Sequence, residues 1–169
     1  KFDSHELELF LIKSIGGVNT EKTLDSFKNT IENSLFEINV IEEKSSREKT
    51  LNKILLKRNP KKDLFIFVDD IEFKGSWYLN LRKHIDKGEI IGFSMLNPNG
   101  NTIQDFGYDF ASFDGEIGYK GLLKNKPLKK YCRSEFRECS SVCGCAMIIK
   151  KEVFNYVDYF PFGYNRWSE

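Results

Sequence analysis

Histidine is almost missing from this chain: His5 and His84 are the only two in 169 residues. No Ser/His/Asp set can be argued from them. His84, near Trp77 and Leu81 on an expected helix, reads as a surface or half-buried side chain. Net charge is also missing, because 26 Lys+Arg stand against 25 Asp+Glu. The balance gives no case for a nucleic-acid binder as a whole. No apolar run approaches the length of a membrane span, and none has the form of a signal peptide. Cysteine is sparse, and all four copies, Cys132, Cys139, Cys143 and Cys145, fall close together. Their clustering raises a zinc site, but the spacings fit no common zinc template. Buried free thiols in a reducing compartment are the better reading.

What is present is apolar and aromatic: 40% hydrophobic residues, 14% aromatics and 15 phenylalanines. That composition belongs to a globular protein. The length suits one domain over residues 1–169. A start at Lys1 and an end at Glu169 read as a piece of a longer chain.

Residues 64–71, Leu-Phe-Ile-Phe-Val-Asp-Asp-Ile, say most. Five apolar residues, aromatic and β-branched, suit a strand buried on both faces. Two acids at its end must lie at the rim of a sheet, where ligands of open α/β sheets bind. Adjacent carboxylates there call for a cation, and a divalent metal carrying phosphate fits.

The surrounding pattern predicts a strand over Leu7–Ile15, broken by Gly16-Gly17. A helix follows over Thr20–Glu32, with Leu24, Phe27 and Ile31 on one face. Leu35–Ile41 reads as a second strand. Ser45-Ser46-Arg47-Glu48 has the form of a capping box opening a second helix, which Pro60 stops. The acid-bearing strand completes a β-α-β-α-β rhythm, the signature of parallel strands with crossover helices. Beyond it, a helix starts after Ser76 with Trp77, Leu81 and Ile85 inward. Ile90–Leu96 is expected as a strand, Asn97-Pro98-Asn99-Gly100 as a turn, and Thr102–Phe110 as an extended segment pairing back. Residues 111–141 give no assignment beyond glycine-marked loop. Cys145–Ile149 is a strand and Lys151–Val157 a short helix.

This order of pieces resembles a family 2 glycosyltransferase of the GT-A fold, in particular the rhamnosyltransferase-like branch. Four segments carry the resemblance. Phe67-Val68-Asp69-Asp70-Ile71 stands where the family has its DxD-type motif. Leu96 to Gly107, which includes Asn97-Pro98-Asn99-Gly100 and Ile103-Gln104, is similar to a family hairpin. Val142-Cys143-Gly144-Cys145-Ala146-Met147-Ile148-Ile149 leads into Lys150-Lys151-Glu152-Val153-Phe154 as the family's later strand leads into a short helix. Phe160 to Glu169 looks like the approach to its paired-acid motif. The first acid of DxD is replaced by Val68, and Glu42-Glu43 stand where many members have aspartate.

The resemblance implies a GT-A α/β fold: a mostly parallel central sheet flanked by helices. It implies metal-dependent inverting transfer of a sugar from a UDP-, GDP- or dTDP-sugar to a glycan, lipid-linked or protein hydroxyl, with Mn²⁺ or Mg²⁺ on the diphosphate. Asp70 is then the metal ligand, and Asp69 contacts the ribose or reaches the metal through water. Ser14 and Gly16 lie where backbone wraps the nucleoside. Glu42 or Glu43 accepts a hydrogen bond from the base, and Arg47 faces phosphate. Gly144 and Trp167 lie near the sugars, and Glu169 is the candidate catalytic base. A loop turn, solvated acids and a surface arginine are the plain readings of the same residues.

Lys120 to Arg133 carries six cations and no acid, which suits a phospholipid surface or a lipid-diphosphate acceptor. The expected location is the cytoplasm, at the inner face of the membrane if that stretch engages it. Two other functions stay open: a sugar nucleotidyltransferase, disfavoured because Gly16 to Thr20 carries no cation, and a non-catalytic domain that binds nucleotide sugar or a partner.

Overall fold

Phe65 and Phe67 pack to one side of a central strand, while Leu64, Ile66 and Val68 pack to the other. This double burial sets the architecture. The computed structural model describes residues 7–31, 36–44, 46–131 and 136–160. Its strands and helices run β1 Leu7–Lys13, α1 Thr20–Thr30, β2 Ile38–Glu42, α2 Arg47–Lys57 and β3 Asp63–Val68. They continue with α3 Trp77–His84, β4 Ile90–Gly92, β5 Met95–Leu96, β6 Ile103–Asp105, β7 Tyr108–Phe113 and β8 Glu116–Gly121. Helix α4 (Leu128–Tyr131), β9 (Ala146–Ile149) and a 3-10 helix at Lys151–Asn155 close the described chain.

The main sheet has five strands in the order β2-β1-β3-β9-β4. Strands β2, β1 and β3 are parallel, whereas β9 is antiparallel to both β3 and β4. The result is a mixed α/β sheet covered on both faces. Leu9, Leu11, Phe65 and Phe67 meet Phe27 of α1, Ile31 just past its end and Leu81 of α3 on one face. Phe10, Ile12, Ile66 and Val68 meet Leu51 and Ile54 of α2 on the other. The first face is an aromatic cluster. Phe27 stacks on Phe67 at 5.4 Å between centroids, and Phe73 meets Phe27 edge-on at 5.1 Å. Trp77 joins it and donates from Nε1 to Thr30 Oγ1 at 2.8 Å, so this tryptophan fastens α3 to α1.

The first three strands and their helices fall where the periodicity puts them, with ends shifted by one to three residues. Ser46 caps α2 and accepts from the Lys49 amide, so the cap lies one residue later than the capping-box reading. Ser45 lies outside the described residues.

The second half departs more. The run Ile90–Leu96 is two pieces, β4 and β5, because β4's partner β9 ends its pairing at Met147↔Gly92. A side chain at Gly92 would also run into Val142. Met95-Leu96 pairs instead with β6. The expected extension Thr102–Phe110 is split between β6 and the start of β7. Residues without an assignment form a regular hairpin, β7–β8, turning at Asp114-Gly115. Both turn residues have positive φ, 50° and 89°, as a two-residue primed turn requires. Among the described residues no helix is long and apolar enough to cross a membrane.

Candidate functional site at the carboxyl edge of the sheet

Strand register brings distant segments to one edge. Ile12 pairs with Val68 and Lys13 with Glu42, so β1, β2 and β3 all end there. Because β9 runs the other way, Phe67↔Ala146 places Cys143, Gly144 and Cys145 at that same edge. The Val68 amide donates to the Cys145 carbonyl at 3.0 Å, closing the gap. The expected residues Ser14, Gly16, Glu42, Glu43, Arg47, Asp69, Asp70 and Gly144 therefore share one rim. Trp167 and Glu169 lie outside the described residues, as does Cys132.

The two acids divide sharply. Asp69 follows the odd-numbered side of β3, toward α1, and only 1% of its surface is exposed. Its Oδ1 accepts from the Ser14 hydroxyl at 2.7 Å and its Oδ2 from the Thr20 hydroxyl at 3.1 Å. A buried carboxylate needs such donors, and the first turn of α1 is a favourable place for negative charge. Asp69 thus binds the loop after β1 to the start of α1. Gly17 is part of the same fit, since a methyl there would overlap Asp69 Oδ2. The turn that precedes it, closed by Gly17 N donating to Ser14 O at 2.9 Å, needs positive φ at Gly16 (71°).

Asp70 is exposed. Its backbone is held on both sides, because the Thr23 hydroxyl lies 2.9 Å from the Asp69 carbonyl and 2.8 Å from that of Ile71. The Phe73 amide donates to Ser26 Oγ at 3.0 Å. Helix α1 thereby fixes residues 69–73 and leaves one carboxylate free to face a ligand. The sequence carried a signal for this: Thr20 and Thr23 extend the Leu24-Phe27-Ile31 stripe toward the rim. The hydroxyl clamp itself was not anticipated.

At the end of β2, Glu42 is exposed while Glu43 turns back on Arg47, with Nε–Oε2 at 3.0 Å. Arg47 is thus held by its neighbour at the rim. On the other side of Asp70 stand the thiols. Cys139, Cys143 and Cys145 are free and half-buried, so the free-thiol expectation holds for these three but full burial does not. The Cys143 thiol hydrogen-bonds to Cys145, which together with burial pushes Cys143 well above the ordinary thiol range. The same bond holds Cys145 below it, against the opposing pull of burial and of Asp70. Tyr108 donates its hydroxyl to the buried Asp105 carboxylate, and burial and that acid keep the phenol protonated far into the alkaline range.

A cavity of about 610 Å³ lies along α3 and the edge strand β4, lined in part by Lys74, Trp77, His84, Phe93, Arg137 and Cys143; neither Asp69 nor Asp70 lines it. His84 stacks on Phe136 at 5.7 Å.

Metal fit can be judged from the donors. Among the described residues no three His, Cys, Asp or Glu side chains converge to hold an ion. Asp69 has both oxygens engaged by hydroxyls, which leaves Asp70. One exposed carboxylate does not make a preformed cage. It does fit Mg²⁺ or Mn²⁺ that arrives with a diphosphate and keeps most of its water. A scan of protein-family models and a search of curated proteins both give no match to this chain.

Proposed function

We propose that this chain is the GT-A catalytic domain of a metal-dependent, inverting glycosyltransferase. The observation that carries the reading is the convergence of four segments on one sheet edge around the exposed Asp70: the glycine turn after β1, Glu42 to Arg47, Asp69-Asp70, and Cys143 to Cys145. The α/β class of the sheet, with β2, β1 and β3 parallel, also supports the reading, although β9 pairs antiparallel on both sides and the sheet is mixed rather than mostly parallel.

In this reading the turn at Ser14–Gly17 receives the nucleoside against its backbone, and exposed Glu42 accepts from the base. Arg47, held by Glu43, offers its remaining guanidinium donors to phosphate. Asp70 is the protein's ligand to Mn²⁺ or Mg²⁺, which neutralises the charge of the departing diphosphate. Asp69 keeps the loop in place and does not bind the ion. Gly144 lets the sugar approach the main chain, and the sequence resemblance assigns Trp167, outside the described residues, to sugar binding. Glu169 takes the proton of the acceptor hydroxyl as its oxygen attacks the anomeric carbon opposite the leaving group.

A thermal-shift panel of UDP-, GDP- and dTDP-sugars, each with and without Mn²⁺, tests the reading. One nucleotide class should raise the midpoint only with the metal; a ligand at ~100 times its Kd stabilises by about 2.7 kcal/mol. If no nucleotide sugar moves the midpoint in either condition, the donor site is wrong.

A further inference from the structure

The β7–β8 hairpin leaves an apolar face uncovered. Its register pairs Phe110 with Tyr119 and Ser112 with Ile117. Side chains alternate across a strand, so these four share one face, together with Tyr108 at the base. The face carries no charge; Asp109, Glu116 and Lys120 belong to the opposite one. Phe110 is 60% exposed, Ile117 82% and Tyr119 56%. Phe110 and Tyr119 lie 5.0 Å apart between centroids, which makes the patch continuous rather than scattered. A two-stranded ribbon is marginal by itself, yet this one is fixed to the body at its base. Tyr108 and Ser141 exchange backbone hydrogen bonds of 2.8 and 3.0 Å, and the Leu122 amide donates to the Gly107 carbonyl at 2.9 Å.

Beside the face runs a one-sided charge. Lys124, Lys126, Lys129 and Lys130 are all exposed, and no acid occurs from Ile117 to Tyr131. Among the described residues none of the four is paired with a carboxylate. Lys124 lies against Gly121 at the hairpin base. Exposed aromatic and aliphatic side chains flanked by unpaired lysines match a bilayer interface, where rings sit at headgroup depth and lysines meet anionic lipid. A second copy of the chain would need an acidic surface to answer the lysines.

We propose that the Phe110/Ile117/Tyr119 face of the hairpin, with Lys124 to Lys130, docks this protein on an anionic phospholipid surface. The turn acid Asp114 and Glu116 keep the tip out of the headgroups, so the ribbon lies flat on its uncharged face. This proposal rests on the hairpin and not on the glycosyltransferase reading, although a membrane-bound acceptor would be brought near the site.

Co-sedimentation with vesicles tests it, using phosphatidylcholine alone and phosphatidylcholine mixed with phosphatidylglycerol. The protein should pellet with the mixed vesicles at low salt, stay soluble with phosphatidylcholine alone, and be released as salt rises. Lys124→Gln with Lys126→Gln should cut the partition about thirtyfold. The triple variant Phe110→Ser, Ile117→Ser, Tyr119→Ser should abolish it, with circular dichroism unchanged. The two-lysine variant keeps the test valid if the triple one unfolds. Absence of binding to mixed vesicles overturns the proposal. So does binding that neither variant weakens, or self-association in free solution that the triple variant abolishes.

Discussion

The two halves of this protein are built on different terms. In β1 and β3, with α1 and α2 packed on either side, the apolar strand residues are buried on both faces of the sheet. From β5 to β8 the strands form two separate two-stranded sheets, and Phe110, Ile117 and Tyr119 face solvent. The first half holds an acid in place; the second offers surface. The comparison separates residues whose loss costs stability from residues whose loss costs binding.

The sharpest way to break that comparison is to truncate aromatics in both halves. Phe67→Ala removes a fully buried ring that stacks on Phe27 and should cost about 3–5 kcal/mol. Phe110→Ala should change stability by less than about 0.5 kcal/mol. Urea denaturation reads both, and equal losses would erase the distinction.

A smaller effect tests the rim. Gly17→Ala forces a methyl onto the Asp69 carboxylate and should cost about 1–3 kcal/mol. In an Asp69→Ala background the same change should cost less, with a coupling of about 0.5–3 kcal/mol. Additive costs would mean that Gly17 and Asp69 do not share one fit.

The thiol pair gives a chemical comparison. Cys145 is held below and Cys143 above the ordinary thiol pKa of about 8.5. The thiolate is the nucleophile. Iodoacetamide near neutral pH should therefore modify Cys145 before Cys143, and Cys143→Ala, which removes the hydrogen bond, should move the onset of Cys145 labelling toward higher pH. Mass spectrometry of the alkylated peptides shows the order, and labelling of Cys143 first would contradict it. The smallest expected effect is at α2: Ser46→Ala removes a long cap bond of 3.5 Å and should cost about 0.5 kcal/mol.

How much of this could be read in the sequence follows the same division. The run Leu64 to Val68 and the stripe Leu24, Phe27, Ile31 are local patterns, and the structure uses them as written. Ile90–Leu96 misled because a strand is as long as its partner allows, and that partner lies more than 50 residues away. The β7–β8 hairpin was legible in principle, through Asp114-Gly115 between alternating residues, but Gly115, Gly118 and Gly121 read as loop. At the site, the position of both acids was visible. Different roles for them were expected from the resemblance, but the burial of Asp69 was not legible, because the hydroxyls of Ser14 and Thr20 reach it only after the chain has folded.

The central claim is that Asp70 faces a metal-bearing diphosphate while Asp69 holds the fold. Titration calorimetry of UDP, GDP and dTDP with Mn²⁺, on the native chain and on Asp70→Ala, measures it most directly. The native chain should bind one of them in a Mn²⁺-dependent way. Asp70→Ala should lose that dependence with an unchanged denaturation midpoint. Mn²⁺-dependent binding that survives in Asp70→Ala would contradict the account.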